Sequence, residues 1–215
     1  MNYLLTAILK SSVIIPALVG LIRFKKVNQA YHPFIYLMWL GVINELISPV
    51  TGRYFHTNSY NSNIYRLFEM WLILYMLDKW NFFEKKKTFV IIGGILTVEW
   101  VTENFILGSL AQFNSYFTIL YAFLNVVLCI NMLNKLLISE KSRLLTNSKF
   151  LILLGFILYF SYSGVVEIFW KDSFINHADM SVKFFSVMSY LNAFNNILYT
   201  YAIICMRQKL RFTMQ

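Results

Sequence analysis

Seven apolar runs follow one another along this chain, and they constrain its fold more than any other feature. They lie at about 3–22, 33–50, 63–77, 88–105, 116–138, 150–170 and 182–206. About 20 helical residues, rising 1.5 Å each, cross a bilayer core of about 30 Å. Only 13% of the residues are charged, against about 25% in soluble domains. The sequence therefore predicts an all-α polytopic membrane helix bundle, in which residues 1–215 form a single domain of seven transmembrane helices.

The basic residues between the runs predict the orientation of this bundle. If all seven runs cross the membrane, 14 of the 19 Lys and Arg residues lie on one side, three lie near the other side and two lie within runs. Lys and Arg mark the cytoplasmic side. We therefore expect a retained first span, an external N-terminus, a cytoplasmic C-terminus and a location in the cytoplasmic (inner) membrane. The same distribution explains the net charge of +9 without a nucleic-acid partner.

Ionisable side chains within the runs are the first candidates for a site, because such groups are costly in lipid and normally face the interior of the bundle. All of them fall in the predicted outer halves of their spans. They are Lys10, Glu45, Arg66, Glu69, Glu99, Glu103 and Glu167. This common depth predicts an outward-facing acidic vestibule over an apolar floor. We expect Glu45, Glu69 and Glu99 to face one shared cavity, and Lys10 to be their nearest cation.

Helical spacing groups some of these side chains in pairs. Arg66 and Glu69 are three residues apart and Glu99 and Glu103 are four apart, so each pair is expected to share a helix face. The first pair can form a local ion pair. The second is a like-charge pair.

A polar stripe in the last run extends towards the middle of the membrane. It consists of the amides Asn192, Asn195 and Asn196 together with Tyr199, and a similar stripe in the sixth run consists of Tyr159, Ser163 and Glu167. Amide side chains in such positions hold helices together through hydrogen bonds, or they line a path for a ligand or an ion. The sequence leaves both interpretations open, and we include the three asparagines among the candidate ligand-binding residues.

Motifs that would indicate catalysis or metal binding are absent from the sequence. His56 and His177 lie in predicted outer loops and His32 on the opposite side, without the spacing of a zinc motif. Cys129 and Cys205 lie inside apolar runs and are interpreted as small core residues. No cofactor, metal site or catalytic residue is predicted, and an enzyme is not the favoured class.

Two stretches carry a resemblance to known proteins: YHPFIYLMWLGVINELIS, beginning at Tyr31, and NSNIYRLFEMWLILY, beginning at Asn61. In these stretches and in its seven-span pattern the chain resembles an uncharacterised family of small seven-span integral membrane proteins of bacteria. The resemblance covers most of the chain. It implies the seven-span fold, and it implies no activity and no site residue.

These features favour a sensor or receptor-like protein that binds a ligand from outside and signals to a membrane or cytoplasmic partner. The expected ligand is a small cation or a proton, and the lipid bilayer is the expected surrounding. A transporter for small solutes or ions is an alternative, with the asparagine stripe as its midplane site. An intramembrane enzyme and a structural subunit are further alternatives. The scarcity of polar side chains in the inner halves favours the sensor.

Overall fold

Helices account for nearly all of the secondary structure in the computed structural model, which describes residues 8–113, 115–139, 144–171 and 178–208. Seven main helices lie within these residues. They are α1 (Ile14–Arg23), α2 (His32–Phe55), α3 (Ser59–Lys79), α4 (Lys86–Val101, extended by a π-helical stretch over Thr102–Leu107), α5 (Ser115–Ser139), α6 (Ser148–Lys171) and α7 (Ala178–Cys205). Each predicted run overlaps one helix, although residues 3–7 of the first run lie outside the described residues. The predicted all-α class is confirmed.

The helices have the length and surface of membrane-embedded segments. Four helical stretches of the described chain are long and apolar enough to cross a membrane: Gln29–Phe55, Lys87–Leu107, Ser115–Ile138 and Ser148–Phe169. Large apolar side chains also cover the outside of the bundle, including Ile95, Phe123 and Ile197. Extensive apolar surface of this kind is rare on soluble monomers. The outside of the bundle is therefore suited to contact with lipid.

Six of the helices form a closed ring, and one lies outside it. Around the ring, α1 packs on α2, α2 on α3, α3 on α5, α5 on α6, α6 on α7, and α7 on α1. Helix α4 packs on α3 and touches α5 from the outside. Side chains of α4 are therefore poorly placed to reach the interior of the ring.

One end of the ring, which we call the basic end, is held together by contacts between its connecting segments. The backbone N–H of Asn28 donates to the Arg207 carbonyl (3.0 Å), and the Trp80 indole N–H donates to the Ala30 carbonyl (2.9 Å). In the half of the bundle next to this end, large side chains are fully buried: Phe34, Ile35, Ile73, Leu74, Met76, Leu77, Ile152, Leu153 and Ile203. This half is tightly packed.

Two prolines interrupt backbone hydrogen bonding in the other half of the bundle. Pro16 has no N–H to donate to the carbonyl of Ser12. That carbonyl accepts a hydrogen bond from the Ile15 N–H instead (3.1 Å), and the helical conformation is interrupted just before α1. Pro49 lies inside α2 and has no N–H to donate to the carbonyl of Glu45. Both irregularities lie in the part of the ring that contains the candidate site.

Candidate functional site

Two adjacent cavities lie inside the ring of helices. Their volumes are about 110 Å³ and about 200 Å³, several times the roughly 30 Å³ that a water molecule occupies in the liquid. Five residues line both cavities: Asn44, Tyr65, Glu69, Tyr159 and Phe160. They come from α2, α3 and α6, so the two cavities meet at the centre of the ring.

Glu69 is the charged residue where the two cavities meet. Its side chain is 7% exposed, and its Oε1 accepts a hydrogen bond from the Tyr65 hydroxyl (2.9 Å). The Tyr121 hydroxyl is buried close to the same carboxylate, yet it makes no hydrogen bond of ordinary geometry within the described part of the chain. A buried polar group of this kind is costly unless a further partner satisfies it. Glu69 and Tyr121 thus offer polar atoms to an occupant of the larger cavity.

An ion pair crosses the wall of the larger cavity. Arg66 Nη2 on α3 lies 2.6 Å from Glu167 Oε1 on α6, and Arg66 Nη1 donates to Thr118 Oγ1 on α5 (2.5 Å). The second oxygen of Glu167 accepts from the Ser115 hydroxyl (3.1 Å). Sequence spacing suggested a local pair between Arg66 and Glu69, whereas the salt bridge joins Arg66 to a helix 101 residues away. It connects three helices of the ring.

The smaller cavity brings together several of the predicted residues. Glu45 lines it together with Asn192 and Asn196. Asn196 Nδ2 also donates to the Ser12 hydroxyl (2.8 Å), so this side chain holds α7 against the segment before α1 as well as facing the cavity. Lys10 is exposed and lies close enough to Glu45 for an electrostatic interaction. Lys10 is therefore the neighbouring cation of Glu45, as predicted, whereas the cation that interacts with Glu69 is Arg66.

Asn195 is placed differently from its two neighbours in the stripe. It is almost completely buried but does not belong to the lining of either cavity. Its side-chain oxygen and nitrogen have no hydrogen-bond partner among the described residues. The structure therefore separates Asn195 from the cavity-lining Asn192 and Asn196.

Glu99 and Glu103 are not brought into these two cavities. Glu99 is half-buried on α4, outside the ring. Glu103 lies in the π-helical stretch and is buried against the start of α5, where its carboxylate accepts from the backbone N–H groups of Tyr116 (2.8 Å) and Phe117 (2.6 Å). The unpaired N–H groups at a helix start favour a carboxylate. Glu103 therefore caps α5, and the expected shared cavity does not include Glu99.

Sequence reasoning missed most of the aromatic lining. Tyr65 precedes Glu69 by one helical turn, a spacing that could have indicated their contact. Tyr121 and Phe160 come from α5 and α6, and no local spacing in the sequence connects them with Glu69. The cavities are therefore more aromatic than the predicted acidic vestibule.

Within the described ranges, no three His, Cys, Asp or Glu side chains come together in an arrangement that could hold a metal ion. The two cysteines are free thiols, and Cys129 is completely buried in the core. The cavities combine carboxylates, amides and aromatic rings. Such a lining can hold a small polar or cationic molecule.

Comparisons with known proteins give no match: no protein-family model, curated protein or solved structure matches this chain. The functional argument below therefore rests on the geometry of the cavities.

Proposed function

We propose that the chain is a seven-span protein of the cytoplasmic membrane that acts as a receptor-like sensor. It binds a small cationic ligand from outside in the two cavities and transmits its occupancy to a membrane or cytoplasmic partner. The observation that carries this proposal is the buried Glu69 carboxylate at the junction of two cavities, above a tightly packed half of the bundle.

The orientation rests on the positive-inside rule. The segments at the basic end carry Lys25, Lys26, Lys85 and Arg207, which supports a cytoplasmic position for this end and an external N-terminus. Glu69 lies at the middle of its helix, ten residues or about 15 Å from either end. The larger cavity, whose lining includes Ser62 and Glu167, then extends from the middle of the membrane towards the outside. The smaller cavity, whose lining includes Leu37, lies near the middle of the membrane.

The charge of the cavity walls favours a cation. Their charged side chains are the carboxylates of Glu45, Glu69 and Glu167 and the guanidinium of Arg66. Glu167 and Arg66 neutralise each other in their salt bridge. The remaining carboxylates give the cavities a negative potential when ionised, and walls of one sign concentrate oppositely charged ligands.

The floor of the smaller cavity favours sensing over continuous passage. The ring of Tyr199 packs on Phe34 (5.2 Å between centroids) and on Phe156 (5.8 Å), and we call these three residues the aromatic floor. Below it lies the packed half of the bundle. A ligand above the floor influences the cytoplasmic side if it binds one arrangement of the helices more tightly than another.

Transport is the second candidate, and the position of two amides supports it. Asn192 and Asn196 line the smaller cavity next to the aromatic floor. Movement of the floor would extend this polar lining towards the cytoplasm, as alternating access requires.

The two functions are distinguished in reconstituted membranes. The full chain carries an environment-sensitive fluorophore on Gln208→Cys, at the basic end, after both native cysteines are replaced by Ala. In nanodiscs, a panel of small cations, anions and neutral solutes is tested for thermal stabilisation of the protein and for a change in fluorescence.

If the protein is a sensor, at least one cation should cause both responses, and that cation should not be taken up into proteoliposomes. Uptake that Glu69→Gln abolishes would assign the protein to the transporters, and a panel without any binding member would refute both candidates.

A further inference from the structure

We infer that the ligand carries an organic ammonium group, held against Glu69 by the carboxylate and enclosed by aromatic rings. This inference rests on the proposed function and narrows its ligand from any small cation to one chemical class.

The walls around Glu69 are built for a cation with an apolar surface. Tyr65, Tyr159 and Phe160 line both cavities, and Phe156 and Tyr199 add rings to the smaller one. The rings of Tyr159 and Phe160 lie at 83° to each other with centroids 5.2 Å apart, so their faces point in different directions. Ring faces attract ammonium groups, and clusters of them recognise alkylated ammonium ligands.

A second observation points to an occupant that forms hydrogen bonds. Tyr121 is 2% exposed and lines the larger cavity beside Glu69, and its hydroxyl makes no hydrogen bond of ordinary geometry among described residues. Its oxygen can accept from an ammonium N–H, while Glu69 Oε2 accepts another. Tyr65 already donates to Oε1. The site thus has acceptors in place for a donor with positive charge.

The composition of the cavities favours an organic cation over a metal ion. The two cavities that meet at Glu69, at about 110 Å³ and about 200 Å³, have room for a small alkylated ammonium ion. Calcium takes six to eight oxygen ligands, whereas most of this lining consists of aromatic rings, amides and aliphatic side chains. Carbon faces do not ligate metals but do stabilise methyl and methylene groups on nitrogen.

The test uses the purified full chain in nanodiscs and calorimetric titration at constant ionic strength. The ligands are methylammonium and tetramethylammonium chloride, compared with sodium, potassium and magnesium chloride and with neutral tert-butanol. We expect at least one ammonium salt to bind and the other compounds to bind at least tenfold more weakly. Glu69→Gln should raise the Kd of that salt at least tenfold. Phe160→Leu should raise it about 2- to 30-fold, the range given by a cation–π contribution of about 0.5 to 2 kcal/mol.

Glu99→Gln is the matched control, because it removes a carboxylate outside the ring. It should change the Kd less than twofold. If Glu69→Gln does not fold, Phe160→Leu and Tyr65→Phe provide the test, since both retain every charge. Binding of an inorganic cation that depends on Glu69, without binding of either ammonium salt, would overturn the inference and leave the proposed function standing. Binding of tert-butanol alone would overturn the inference and the cationic ligand of the proposed function. Absence of binding by every compound, or equal effects of Glu69→Gln and Glu99→Gln, would overturn it together with the assignment of the cavity as the ligand site.

Discussion

Replacing Glu167 by Gln removes the negative charge from the ion pair that joins α6 to α3. The guanidinium of Arg66 then loses its salt bridge in the wall of the larger cavity and keeps the neutral Thr118 Oγ1 at 2.5 Å as a hydrogen-bond acceptor, with Glu69 as the nearby carboxylate. The change preserves the size of the side chain and one of its oxygen acceptors. Any loss of stability therefore measures the charge at this position more than its packing.

The expected loss follows from the burial of the pair. Removing one partner of a buried ion pair costs about 3 to 5 kcal/mol. The two side chains are 19% and 13% exposed, and Gln still accepts a hydrogen bond, so we expect about 2 to 3 kcal/mol, at or below the lower limit of that range. An average neutral hydrogen bond between membrane helices contributes only about 0.6 kcal/mol. The predicted effect is thus clearly larger than that of an ordinary polar contact.

The assay is thermal unfolding of the purified protein in a mild detergent, with Arg66→Met and the double variant in the same series. For a chain of this size 1 kcal/mol corresponds to about 2 to 4 °C in Tm, so Glu167→Gln should lower the Tm by about 4 to 12 °C. The double variant Arg66→Met, Glu167→Met should recover to within about 1 kcal/mol of the parent, because no unpaired charge remains.

Two results would refute this reasoning. A Tm within 1 °C of the parent for Glu167→Gln would show that the charge is solvated in place. A double variant whose loss equals the sum of the two single losses would show that the side chains do not interact energetically.

Two further predictions concern the packing at Gly155 and the helix cap formed by Glu103. Gly155→Ala should lower the free energy of unfolding by about 1 to 3 kcal/mol, as overpacking does, because the new Cβ would lie 2.4 Å from the ring of Tyr199. Thermal unfolding in detergent measures this loss. Glu103→Ala should cost about 1 to 3 kcal/mol through loss of the cap on α5, and hydrogen exchange should become faster at Tyr116 and Phe117 in particular.

Each of these has a control on α4. Gly94→Ala has open space around the new Cβ and should stabilise the helix by up to about 1 kcal/mol, so equal losses for Gly94→Ala and Gly155→Ala would contradict the packing argument. Glu99→Ala removes a carboxylate that does not cap α5. Faster exchange at the start of α5 in Glu99→Ala would show that the effect of Glu103 is not local.

Much of the fold could be predicted because each helix has its own local signal. The apolar runs overlap all seven described helices, and the break before Pro16 follows from the missing N–H of proline. The order of the helices around the ring has no such local signal, because it depends on which apolar faces pack together. This is why Glu99, in a helix with an ordinary apolar run, was expected inside the bundle and lies on the helix outside the ring.

The candidate site was predictable to the extent that burying charge is costly. Glu45, Glu69 and Glu167 face the interior of the ring, as ionisable groups in a lipid environment are expected to do. Their partners were not predictable, because Arg66 and Glu167 are 101 residues apart and the cap formed by Glu103 depends on a π-helical stretch that changes the helical spacing. Tyr159 and Tyr199 belonged to predicted polar stripes, but the rest of the aromatic lining was missed because tyrosine and phenylalanine are common throughout this sequence.

The most direct test of the central claim is whether the larger cavity can be reached from outside the cell. Ser163 lines this cavity, and in a background with Cys129 and Cys205 replaced by Ala it is changed to Cys. A membrane-impermeant methanethiosulfonate reagent is added to intact spheroplasts and, separately, to inverted membrane vesicles, with cysteines at His56 and Lys86 as outside and inside references. The account predicts that Ser163→Cys reacts in spheroplasts together with the cysteine at position 56. Reaction only in inverted vesicles, together with the cysteine at position 86, would contradict an outward-facing site.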